Sequence, residues 1–136
     1  MTTKEYLSRY NKLNTEINSL CSELSTLRAL LYQTGSSRID GQPKTKHRHS
    51  AAQYEALVDK LVTAEADVNA KIDAAVDVRN EIAATIDAVE NITYRTLLRY
   101  RYICCYKWDR KAVKMHRELR WIYRLHGQAL QKIILN

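Results

Sequence analysis

"WDRKAVKMHRELRWIYRLHGQAL", from Trp108 to Leu130, holds six Lys and Arg against two acids. Its apolar residues nevertheless recur at helical spacing. Trp108, Ala112 and Met115 share one helical face, and Ile122, Leu125, Ala129 and Ile133 share another, so two helices are expected at about 108–115 and 119–133. Ala112 is small, as a tight helix crossing requires, and Ile122 follows ten residues later to fill the space between the helices. That is the packing logic of a helix-turn-helix.

Turning Ile122, Leu125 and Ala129 inward leaves Arg120, Tyr123, Arg124 and Gln128 on the other faces of the last helix, with Arg117 and Leu119 at its start. In a helix-turn-helix these positions meet base edges, and Arg pairs bidentately with guanine. Arg95, Arg99, Lys107, Arg110, Lys111 and Lys114 surround them and are expected at phosphates. A packed segment can keep this much positive charge if one face is free to hold it.

Charge asymmetry along the chain supports the same reading. The net charge is +7, yet residues 1–93 carry 11 basic and 13 acidic side chains, whereas residues 94–136 carry 11 and 2. A solvated basic face is the bland account of any single residue here. The bias of the whole segment points instead to a polyanionic partner, because such a segment repels itself without one.

Upstream, Tyr6, Tyr10, Leu13, Ile17, Leu20, Leu24, Leu27 and Leu31 step by 4 and 3 in alternation. This heptad seam predicts one helix of ~28 residues and ~42 Å, which needs a partner helix to bury its stripe. Residues 34–49 hold two Gly and the only Pro and predict a basic loop, with Ser50 as the next N-cap. A second long helix, about Ala51 to Glu90, follows with a looser register, since Glu65 and Arg79 fall on seam positions. Its remaining surface is acidic. Asn91 and Thr93 mark a break, with Thr93 the expected N-cap of a helix over about 94–104. The fold class is therefore all-α: a helical hairpin over residues 1–92, then a three-helix domain over residues 93–136.

The stretch "TYRTLLRYRYICCYKWDRKAVKMHRELRWIYRLHGQAL" resembles the sigma-70 region 4-like helix-turn-helix of small phage and prophage regulators, the ArpU-like late-gene group. The resemblance rests on Tyr94-Arg95-Thr96-Leu97-Leu98, Arg101-Tyr102, Trp108 with Ala112, and Ile122 to Gly127 with Ala129-Leu130. "KEYLSRYNKLNTEINSLCSELSTLRAL" is similar to that group's N-terminal helix. Three departures stand out. Lys111 takes the place of a usual Ile, His116 that of a common turn Gly, and Lys107 that of a Ser/Thr N-cap.

The resemblance implies a sequence-specific transcriptional regulator of double-stranded DNA, dimeric through its N-terminal helices and in contact with RNA polymerase or a sigma factor. A small-terminase-like packaging protein and a sigma-binding module are the alternatives. His47 and His49 lack nearby acids, so no metal or cofactor is expected. Cys104 and Cys105 read as small apolar filling, and His126 as structural or phosphate-facing. No catalytic constellation is present, so an enzyme is not expected. The absence of an apolar opening segment and of any membrane-length apolar run leads to the expectation of a cytoplasmic protein.

Overall fold

The computed structural model describes residues 1–35 and 51–135. The expected loop at 34–49, with its histidines and Ser50, lies almost wholly outside them. Within the described residues every regular element is helical: α1 (Thr3–Leu7), α2 (Arg9–Gly35), α3 (Ala51–Asp87), α4 (Ile92–Leu98), a π-helical turn (Arg99–Ile103), α5 (Trp108–Met115) and α6 (Leu119–Gln131). No helix among them is long and apolar enough to cross a membrane.

Local chemistry sets the helix ends. Thr2 and Glu5 form a reciprocal capping box, with Glu5 N–H donating to Thr2 Oγ1 (3.2 Å) and Thr2 N–H donating to Glu5 Oε2 (2.8 Å). The expected single first helix is broken at Ser8, which closes α1 before α2 begins. Asn91, and not Thr93, caps α4: its Oδ1 accepts from the N–H groups of Thr93 (2.9 Å) and Tyr94 (3.2 Å). The helix expected over about 94–104 changes pitch after Leu98. Cys104 N–H donates to Arg99 O at 2.9 Å, an i to i+5 bond that absorbs one extra residue.

The chain divides into two compact units, and α2 and α3 each contribute to both. Neither unit ends at residue 92. One comprises Glu16–Ile72. Here Ile17 and Leu24 of the predicted seam are buried together with Val68. The ion pairs Lys71–Glu16 and Arg28–Glu65, both 2.9 Å, connect residues in reverse order and show that the helices run antiparallel. Glu65, which interrupts the apolar register, is used at the helix flank.

The other unit joins Met1–Thr15 to Asp73–Asn136. Its main core contains Leu7, Ile82, Ile86, Val89, Leu98, Tyr102, Ile103, Ala129 and Ile133, with Tyr6 and Tyr10 packed at the edge. Leu7, which lies off the predicted seam, is the fully buried residue of α1. Tyr6 shares a hydrogen bond with Thr85 (3.3 Å), and Arg9 pairs with Glu81 (2.5 Å). A second core of Leu97, Ile122 and Leu125 is closed by Trp108, Ala112, Met115 and Trp121. Ile122 and Ala112 thus meet in one cluster, as their spacing implied.

Candidate nucleic-acid interface

α5 and α6 are joined by the short turn His116–Glu118. His116 closes α5 in the left-handed region (φ 56°, ψ 42°), its N–H reaching the carbonyls of Ala112 and Val113 while Arg117 N–H donates to Ala112 O at 3.0 Å. A left-handed backbone crowds any Cβ, which is why glycine favours this position. His116→Gly is therefore expected to stabilise the chain by about 0.5–1 kcal/mol, read by urea denaturation at pH 8. A loss of stability would mean that the imidazole makes a favourable contact outweighing the strain.

α6 is sharply two-sided. Ile122, Leu125, His126 and Ala129 are buried, while Arg120, Tyr123, Arg124, Gly127 and Gln128 are exposed. Leu119 is half-buried. The Tyr123 ring leans on Trp108, centroids 4.8 Å apart, and the Gln128 Oε1 accepts from Tyr94 Oη at 3.3 Å. Arg117 lies over the Trp121 ring at 4.6 Å and Arg110 over the Tyr106 ring at 4.1 Å. Stacking of this kind limits the rotamers of side chains that otherwise sweep freely.

Lys107, Arg110, Lys114, Arg117, Arg120 and Arg124 are all exposed, and none belongs to the four ion pairs among the described residues. Arg95 and Arg99 are placed differently from expectation. The Arg95 guanidinium donates to Val89 O (3.0 Å), and Arg99 pairs with Asp87, so both brace the junction between α3 and α4. Lys111 is a plain correction. It was expected at a phosphate, yet it is 0 % exposed. Its Nζ donates to Tyr106 O (3.1 Å) and lies 3.4 Å from the centre of the Trp108 ring. The reason is legible afterwards: Trp108, Lys111, Ala112 and Met115 follow i, i+3, i+4, i+7, so Lys111 occupies the apolar stripe of α5.

Around Trp108 lies a buried polar cluster that sequence reasoning did not assemble. The Trp108 ring meets His126 edge-on at 4.9 Å, Arg101 lies over it at 4.9 Å, and His126 Nε2 shares a 2.7 Å hydrogen bond with Tyr102 Oη. Arg101 Nε is buried without a hydrogen-bond partner. No ion pair among the described residues reaches Arg101 or Lys111. Burial, then the Arg101 charge, lowers the Lys111 ammonium to a pKa of about 7. Burial, then the charges of Lys111 and Arg101, lowers His126 to about 4, and burial raises the Tyr102 phenol to about 12. His126 thus lies within the core, bonded to Tyr102, and not on the exposed face of α6. Cys104, expected as filling, is exposed, and Cys105 is half-buried with φ at 58°.

No cluster of three or more His, Cys, Asp or Glu side chains among the described residues could hold a metal ion. Comparison with known proteins finds no matching family model, curated protein or solved structure.

Proposed function

We propose that the chain is a sequence-specific double-stranded DNA-binding regulator in which α5 and α6 form a helix-turn-helix and α6 enters the major groove. The carrying observation is the division of α6: an apolar inner face, and an outer face with Arg120, Tyr123, Arg124 and Gln128 exposed. Lys107, Arg110 and Lys114 supply exposed cations beside it for phosphates, and the exposed Arg117 stands with the base-reading side chains at the start of α6. Arg120, Tyr123 and Arg124 read bases, with Gln128 further along the helix. The antiparallel α2 and α3 set the oligomeric state or meet RNA polymerase or a sigma factor. Self-association as a dimer is supported by Val62 and Ile72 of the Glu16–Ile72 unit, exposed on α3 at coiled-coil spacing. This is the arrangement expected of the phage and prophage regulators that the sequence resembles.

Selection of bound duplexes from a random pool at near-physiological salt tests the proposal. An enriched motif supports specific readout, and a palindromic one supports the dimer. Salt-sensitive binding without enrichment overturns specific regulation and leaves a general nucleic-acid binder. On the enriched duplex, Arg124→Ala is expected to cost about 1–3 kcal/mol and relax preference at one position. Lys114→Ala should weaken all duplexes alike and reduce the salt slope by about one. Identical behaviour of the two variants on every duplex would remove α6 from base reading.

A further inference from the structure

Gly127 lies on the exposed face of α6, inside the helix and away from either end. Among the described residues, a Cβ added there meets nothing within 4 Å. Its backbone is ordinary helix, so no turn requires glycine, and no neighbour among the described residues excludes a side chain. Glycine is nevertheless the least favourable residue in a helix interior apart from proline. What it offers on an exposed face is access: something outside the chain can approach the main chain of α6 more closely there than past any side chain.

The surroundings define what approaches. Arg120, Tyr123, Arg124 and Gln128 share the exposed face with Gly127, and α6 contains no acid. Such a surface suits an anionic strand. From Arg120 to Gly127 the helix rises ~10 Å, close to the ~12 Å width of the major groove. A helix whose early turns face base edges thus brings Gly127 to the wall of that groove.

Resting on the reading of α6 as the DNA-contacting helix, we propose that a sugar–phosphate strand crosses α6 directly over Gly127. The helix then lies against the duplex from Arg120 to Gln128 and does not touch it by its first turn alone. Arg124 and Gln128 flank the crossing strand, while the main chain at Gly127 forms the floor on which it rests.

The test uses the full chain, the variants Gly127→Ala and Gly127→Leu, and a control, Asn80→Leu, at an exposed position of α3. Thermal unfolding is measured beside affinity for a random-sequence duplex of ~30 base pairs, about three helical turns. Both Gly127 variants are expected to unfold at a higher temperature, since helix propensity improves and nothing is crowded. Affinity should fall in order of side-chain size, about threefold for Ala and on the order of tenfold or more for Leu, with Asn80→Leu unchanged. Wild-type affinity in Gly127→Leu overturns the crossing while leaving the DNA reading intact. An equal loss in Asn80→Leu also overturns it. If the wild-type chain binds no duplex, the DNA reading falls and the crossing with it.

Discussion

Lys111→Met is expected to stabilise the chain by about 2 kcal/mol at pH 6 and to flatten its stability profile above neutrality. Lys111 is 0 % exposed, has no carboxylate partner among the described residues, and faces Arg101, the Trp108 ring and the Tyr106 carbonyl. Its pKa falls from 10.5 to about 7. Between those values the unfolded chain holds a proton that the folded chain has released, so stability rises with pH across this window. Below about 7 both states are protonated, and the full cost of the buried charge is present. Methionine has a similar length and flexibility and removes that cost, at the loss of one hydrogen bond to Tyr106 O. Urea denaturation from pH 6 to pH 10 measures the effect. A variant less stable at pH 6, with the alkaline rise intact, would show that Lys111 is not the source of the penalty.

His126 is expected to govern the acid limb. It is 8 % exposed, bonded to Tyr102, and lowered from 6.5 to about 4 by burial and then by the charges of Lys111 and Arg101. As pH falls from 6.5 towards 4, the unfolded chain takes up a proton that the folded chain refuses, and stability is lost. The total loss is about 3 kcal/mol, which is large for a domain of this size. Replacing His126 by Gln, which keeps a hydrogen-bonding group near Tyr102, should reduce that slope. Denaturation midpoints at closely spaced pH values read the difference directly. An unchanged slope would show that His126 is not the source of the acid limb. Together the two groups imply that α5 and α6 are held together more firmly at mildly alkaline pH than at acidic pH.

Much of this architecture is legible in the sequence. Composition and the 4, 3 spacing from Tyr6 to Leu31 determined an all-helical chain whose first long helix needs a partner. The spacing of Ala112, Ile122, Leu125 and Ala129 identified the inner faces of α5 and α6, because burial follows helical periodicity whatever lies across the interface. The charge bias beyond residue 93 likewise located the basic end, since net charge needs no geometry to be counted.

Other features depended on tertiary packing. Whether a cation on a helix is free or buried depends on what packs over it, and residue type alone assigned Lys111, Arg95 and Arg99 to phosphates. Trp108 and the Tyr106 carbonyl, which accepts from Lys111 Nζ, are near Lys111 in sequence, but only the meeting of α5 with α6 and the π-helical turn brings His126 and Arg101 to the same Trp108 ring. The π-helical turn itself carries no sequence mark, yet it holds Tyr102, which bonds to His126. Ser8 and Asn91 shift helix ends that periodicity cannot resolve. Sequence alone determined the helices, their apolar faces and the basic end, since these follow from repeats along one chain. Which polar groups are enclosed was decided by the tertiary structure, since enclosure depends on residues distant in sequence.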